Sequence, residues 1–385
     1  MMFLKVQTKV GYERVCQMVT DSISLRRFCR IGLEATVPDE STIRKITARC
    51  GPALIEELNR ILLVRAHRDG LVDLERVRLD STVVEADVKY PTDSGLLTSG
   101  VCRLAGRLDR LVKTGISVTF IDRGAEARAL QHSVGMLLRR RSDEAVADVL
   151  AITGRLADLA DLSIAEAANI DIDQLKSRAQ RRRHAEVTVL CERLSRVVEQ
   201  SRLRLAGGKP DGATRIVSLF EPDARPIRKG RLGKPVEFGY KAQAVDNIDG
   251  IILDHSVHIG NPGDVDLIRP AIKRVTELFG TPPTLLTADR GYWDSTIEAD
   301  LTEIGVATIV IPRTGKPSQA RQAIEHADTF VAAVKWRTGC EGRISALKRE
   351  YGWRRTRLRT HTRARTWCAH GVFAHNLTKL VRLQT

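Results

Sequence analysis

The stretch VRLDSTVVEAD, residues 77–87, sets the terms for the rest of the chain. Val77, Leu79, Ser81 and Val83 fall on one side of a period-two pattern, and Arg78, Asp80, Thr82 and Val84 on the other. Apolar residues on both sides describe a largely buried strand, and Asp80 stands in its middle. An isolated buried carboxylate is costly to desolvate, so Asp80 needs a partner. The candidates are an arginine (Arg78 or Arg290), a turn of backbone N–H groups, or a metal ion.

The composition narrows the setting. At 385 residues the chain is long enough for two or three domains and a large core. Its 43% hydrophobic and 28% charged residues fit a soluble globular protein rather than a disordered or membrane one. Lys and Arg number 62 against 47 Asp and Glu, a formal charge of +15, and the arginines are clustered; an anionic polymer, nucleic acid above all, is the expected partner. Seven cysteines, at 16, 29, 50, 102, 191, 340 and 368, form no CxxC pair and read as small core residues of a reducing compartment. No run reaches the roughly 18 apolar residues of a membrane span. The start MMFLKVQTKVGYER has no apolar signal-peptide region, so a cytoplasmic location is expected.

Outward from the strand, residues 1–52 read as a helical, DNA-binding segment. SISLRRFCRIGL and VPDESTIRKI give two short helices, the second carrying Arg44, Lys45 and Arg49 and stopped by Gly51-Pro52. They suit a helix-turn-helix and a plain helical hairpin equally. Residues 53–91 hold an amphipathic linker helix and the first strand. Residues 92–212 form a helical insertion, in which RLAGRLDRLV, EAVADVLAITGRLADLADL and LCERLSRVVEQSRLRL keep helical spacing. Its runs Arg139-Arg140-Arg141 and Arg181-Arg182-Arg183 read as solvated faces slightly before phosphate contacts. Residues 213–385 return to β pattern: a hairpin over 236–247 and 250–260, a helix from Asp264, a strand ending at Asp289, then helix, strand and two basic helical stretches. The order predicts an α/β protein with a ribonuclease-H-like catalytic core, interrupted between its first and second strands by the helical block.

In such a sheet the first and fourth strands are neighbours, so Asp80 and Asp289 can converge, joined by Glu341 from a flanking helix. On one continuous helix Arg337, Glu341 and Lys348 share a polar edge beside the stripe of Cys340, Ile344, Leu347 and Tyr351. Glu85, Asp87, Asp246, Asp249, Asp294 and Glu350 read as structural. RPIRKGRLGK (225–234) reads as a phosphate-contacting loop through Arg228, Lys229, Arg231 and Lys234. WRRTRLRTHTRAR (353–365) reads as a DNA guide through Arg354, Arg355 and Arg357, with Trp353 either stacking on a base or in the core.

In VPDESTIRKI, VRLDSTVVEAD, RKGRLGKPVEFGYKAQ, LLTADRGYWDS, the R-x3-E-x6-K of Arg337, Glu341 and Lys348, and the ending AHNLTKL, the chain resembles the DDE transposases of bacterial insertion sequences, in the group related to insertion sequence five. The resemblance implies that Asp80, Asp289 and Glu341 are the catalytic triad and hold two Mg²⁺ or Mn²⁺ ions, with Arg337 and Lys348 as flanking basic residues. Val334 stands where the family's pattern has tyrosine, and the helical block is longer than in simpler members. It further implies metal-dependent cleavage at terminal inverted repeats, strand transfer of the 3′-hydroxyl into target DNA, a homodimer or higher oligomer in the synaptic complex, and a nucleoid-associated cytoplasmic location. No GxxxxGK[ST] loop is present, as expected where no nucleotide is hydrolysed. The rival expectations are a decayed or domesticated DNA-binding protein and a ribonuclease-H-like nuclease that leaves ends unjoined.

Overall fold

The computed structural model describes residues 1–140, 142–229 and 233–384. The chain divides into two compact units, Met1–Asp87 with Ile227–Thr385, and Val88–Pro226.

The first unit is built on a mixed sheet. Its strands are β1 (Arg76–Glu85), β2 (Arg225–Arg228), β3 (Val236–Asn247), β4 (Ile252–Ile259), β5 (Leu285–Thr287) and β6 (Thr308–Val310), in the order β2-β3-β1-β5-β6 with β4 also on β3. β1 runs antiparallel to β3, setting Asp80 opposite Ala244 and Arg78 opposite Asp246. It runs parallel to β5, setting Arg78 beside Thr287. The alternation of residues 77–84 therefore has two physical destinations. Val77 and Leu79 join Val245 in a core closed by Ile268, Ile272 and Val275 of helix α9 (Asp264–Phe279) and Leu63 of helix α4 (Glu40–Arg68). Helix α10 (Ile297–Ile304) adds Ile297 and Leu301 to the same core, and α11 (Gln319–Glu325) follows β6. The opposite face receives α13 (Gly339–Glu350), whose Cys340 and Leu347 are buried. The neighbouring strands expected for Asp80 and Asp289 are thus adjacent. The short strand β2 is an addition: Pro226 among basic residues makes its sequence read as loop.

Two sequence expectations change locally. α4 does not stop at Gly51-Pro52. Gly51 takes φ 62°, ψ −170° inside it, and the helix resumes at once, because glycine accepts the left-handed φ and proline suits a first helical turn. Before it lie α1 (Met2–Thr8), α2 (Tyr12–Asp21) and α3 (Ile23–Phe28); residues 29–39 then connect α3 to α4, too many for the three- or four-residue turn of a helix-turn-helix. Asp39 caps α4 by accepting the Thr42 N–H at 2.7 Å. The last helix, α14 (His361–Leu383), is tied down by Asn376 of the AHNLTKL ending, whose buried amide bonds to Asn59 and to both backbone groups of Ile252.

The second unit holds α5 (Asp93–Val112), α6 (Gly124–Leu137), α7 (Asp143–Ala168) and α8 (Arg178–Leu205) around Leu97, Leu104, Leu156, Leu194 and Val197. Gly100 lets α5 and α8 close: a Cβ there would fall 2.3 Å from a Leu194 methyl. Ser177 and Gln180 form a capping box at the start of α8.

Candidate active site

Asp80 and Asp289 reach one another because β1 and β5 are parallel neighbours. Asp80 projects from the middle of β1. Its Oδ1 accepts the Ser81 N–H at 2.7 Å, and no cationic side chain among the described residues comes within ion-pair distance of it. Burial first, then the charge of Asp289, pushes its carboxyl up to about 6, against the Ser81 N–H and the positive charges of Arg337 and Lys229. Asp289 lies two residues past the end of β5. It caps the turn Arg290–Tyr292 by accepting the Gly291 N–H at 2.7 Å, and the fully buried Tyr292 pins that turn into the core. Two carboxylates and two cations, Lys229 and Arg337, thus share one electrostatic neighbourhood. Burial lowers the Lys229 pKa, while the charges of Asp80, Glu237 and Asp264 hold it up.

The arginine next to Asp80 goes elsewhere. Arg78 is buried and pairs with Asp246: its Nη2 donates to Oδ2 at 3.0 Å and its Nε to Oδ1 at 3.1 Å. Arg78 Nη1 donates to the Trp336 carbonyl at 2.7 Å, and its guanidinium lies 4.6 Å from the Trp336 ring centre. Asp246 also accepts from Arg343 Nε at 3.2 Å and from the Cys340 thiol at 3.6 Å. The sequence reading assigns Asp246 to the hairpin turn instead. The only signal for its role is its place at the end of a strand whose register puts it opposite Arg78.

The helix carrying Glu341 also differs from the single helix expected. α12 (Asp328–Arg337) ends at Arg337, and Thr338 separates it from α13. Glu341 is exposed in the first turn of α13, and its N–H bonds to the Thr338 carbonyl at 3.1 Å. Arg337 belongs to the preceding helix yet remains within electrostatic reach of Asp80. Lys348, in the last turn of α13, is half-buried. Among the described residues no group of three His, Cys, Asp or Glu side chains is gathered to hold a metal ion. The donors are hard carboxylate oxygens without an ion-paired cation among the described residues, Asp80 desolvated and Asp289 partly exposed, which fits Mg²⁺ or Mn²⁺; Glu341 is not drawn in with them.

The basic residues divide between two places. Arg44, Lys45, Arg354, Arg355 and Arg357 line one cavity of about 1050 Å³, together with Lys5 and Trp367. Lys5 is buried there, its ammonium 4.7 Å from the Tyr12 ring and 4.8 Å from the Trp367 ring; burial, then Arg357, lowers its pKa to about 8. Arg49 is exposed on α4, outside that lining. In the loop before β3, Arg228 is exposed, and Lys234 pairs with Glu85 and Glu237. Arg231, like Arg141 of the earlier run, lies outside the described residues. Trp353 belongs to the core: it is fully buried and its indole N–H donates to the Cys368 carbonyl at 3.2 Å.

A mixed sheet bearing two facing carboxylates is the frame on which DNA-processing enzymes of the ribonuclease-H-like class are built. The Transposase DDE domain family matches residues 214–377, and the family described as Transposase domain (DUF772) matches residues 1–49. The chain thus carries a transposase DDE domain behind an N-terminal transposase domain, and this pairing fits the group related to insertion sequence five. The DDE domain implies a ribonuclease-H-like core and a DNA-processing enzyme of a family that typically uses divalent metal. Comparison with curated proteins and with solved structures gave no significant match. No helix among the described residues is long and apolar enough to cross a membrane.

Proposed function

We propose that this transposase cuts the ends of its element and joins the freed 3′-hydroxyls to target DNA, with Asp80, Asp289 and Glu341 holding the divalent ions. The observation that carries the reading is the approach of Asp80, on β1, to Asp289, two residues past the parallel neighbour β5, with Arg78 committed to Asp246. Two Mg²⁺ or Mn²⁺ ions, when bound, activate the attacking oxygen and stabilise the leaving one. The protein's own groups do the rest. Asp80, desolvated and facing a second carboxylate, favours a cation over bulk water. Lys229 and Arg337 lie near Asp80 and balance the charge of an incoming phosphodiester. In the cutting step water supplies the attacking oxygen, and the broken P–O bond leaves a 3′-hydroxyl and a 5′-phosphate; in the joining step that 3′-hydroxyl displaces a 3′-oxygen of the target, so one phosphodiester replaces another and no nucleotide is consumed.

The cavity lined by Arg44, Lys45, Arg354, Arg355 and Arg357 is the surface we assign to the DNA backbone, because its basic side chains outnumber its one lining carboxylate, Glu350. Terminal inverted repeats and target DNA are the substrates in this reading, brought together by at least two subunits. Residues 1–52 serve end recognition, 92–212 form the helical insertion, and the catalytic core is completed by 53–91 and 213–385.

The deciding experiment is nicking and strand transfer on a labelled transposon-end duplex in Mg²⁺ or Mn²⁺, with Asp80→Ala, Asp289→Ala and Glu341→Ala beside the wild type. Metal-dependent joined products, lost in all three variants, establish the reading. Cut but unjoined ends make the protein a nuclease. One observation favours a decayed, DNA-binding copy instead, namely that Glu341 is not gathered with the two aspartates; binding without any product would establish that.

A further inference from the structure

We propose that Asp246 is a positioning residue for the phosphodiester-transfer centre: its contacts to Arg78 and Arg343 set the first turn of α13, and with it Glu341, against the strand that carries Asp80. The inference rests on the reading of Asp80 and Glu341 as metal-holding carboxylates.

Arg78 stands two residues before Asp80 on the same face of β1. Cys340 and Arg343 flank Glu341 in α13. All three converge on one carboxylate, which is fully buried. Arg78 also holds the end of α12 through the Trp336 carbonyl, one residue before Arg337. Asp246 thus contacts α13 directly and α12 through Arg78, and these two helices bear Glu341 and Arg337.

Two glycines make room for this cluster. A Cβ on Gly339 would fall 2.5 Å from Arg78 Nη1, and one on Gly250 would fall 1.6 Å from Arg343 Nη2. Gly250 also has φ +77°, in the left-handed region. Two positions without side chains thus let the two arginines reach Asp246. A buried ion pair contributes little net stability over apolar residues of the same volume, whereas it tolerates only a narrow geometry. A hub of this kind suits the placement of a helix turn better than the strengthening of a core. Outer partners that orient metal-holding side chains commonly change metal affinity about ten- to a hundredfold when removed.

The test uses the full chain and Mn²⁺ alone, titrated by calorimetry, with melting temperature measured in parallel. Arg343→Gln removes the helix-side contact, and Gly250→Ala displaces the same arginine without touching a charge. Asp246→Asn removes both pairs. Arg343→Lys is the conservative rescue. Both variants should lose some melting temperature, Gly250→Ala through its left-handed φ and Arg343→Gln through the contact it takes from the buried Asp246; weakening of Mn²⁺ binding to the folded protein by about tenfold in both, with partial recovery in Arg343→Lys, supports the role. A purely structural residue would lower melting temperature and leave the metal affinity of the folded protein unchanged, and that result overturns it. Asp80→Ala and Glu341→Ala are the references. If they lose Mn²⁺ while the hub variants keep it, the positioning role alone falls. If they too bind like wild type, the reading of the carboxylates falls and the inference with it.

Discussion

Asp80 and Asp246 lie on neighbouring strands of one sheet, two positions of register apart, and meet opposite surroundings. Asp246 is sealed from solvent and answered by two guanidinium groups and a thiol. Asp80, two residues along from the arginine that Asp246 captures, is left with a single backbone N–H and a second carboxylate across from it. The sheet thus carries one satisfied acid and one poised acid. The contrast shows that being a buried aspartate says little by itself; the distribution of the few nearby cations decides which acid is structural and which is free to bind something else.

The largest expected difference between the two acids is catalytic. Asp80→Asn and Asp289→Asn should each lower metal-dependent nicking by more than about a thousandfold, as removal of one member of a cooperating set does. In thermal denaturation Asp80→Asn should leave the fold as stable as before or raise stability by about 1 kcal/mol, since it removes a desolvated, unpaired charge. Asp246→Ala should do the reverse in the same assay. It leaves two arginines without their carboxylate and should cost about 3–5 kcal/mol, read as a drop in melting temperature. Equal responses from the two variants would erase the distinction.

Lys5 is the cationic counterpart of Asp80, buried against two aromatic rings with no carboxylate among the described residues within ion-pair distance. Its folded pKa of about 8 lies below the ordinary 10.5, so between those values the folded chain holds fewer protons than the unfolded one. Stability should therefore rise as pH climbs from about 8 to 10.5, by on the order of 2 kcal/mol, and the rise should vanish in Lys5→Met. Denaturation followed across that pH range checks it. The smallest effect concerns Arg354 and Arg357, both exposed at the same cavity. Replacing the pair with glutamine should weaken end binding and flatten its logarithmic salt dependence by about 0.9 for each phosphate that is no longer neutralised. An unchanged slope removes this cavity from the DNA path.

What was legible in the sequence was short-range. The alternation of residues 77–84 and the helical spacing of residues 190–205 each reflect a local period and became the expected element, and the hairpin of 236–260 formed as well, with a connection over 248–251 that is longer than the two residues 248–249 its pattern suggested. The approach of Asp80 to Asp289 could be anticipated because strand order follows from connectivity. β2 could not, since Arg225–Arg228 gains its ladder only from a partner strand. Nor could the break at Thr338, because the two helices beside it each keep helical spacing. The Asp246 cluster was out of reach for the same reason: Arg78, Asp246 and Arg343 are far apart in the chain, and nothing local to any of them announces the other two.

The division of the first unit between Met1–Asp87 and Ile227–Thr385 has a consequence for synthesis. β1 leaves the ribosome long before β3, its antiparallel neighbour, exists. At typical elongation rates the intervening stretch of roughly 150 residues takes about 8–30 s to make. During that interval a strand containing Val77, Leu79, Val83 and Val84 has no sheet to join. The four-helix unit, whose packing is local, can fold meanwhile; the strand that bears Asp80 must wait. Nascent-chain chaperones, and slow codons placed after residue 226, would act on that window.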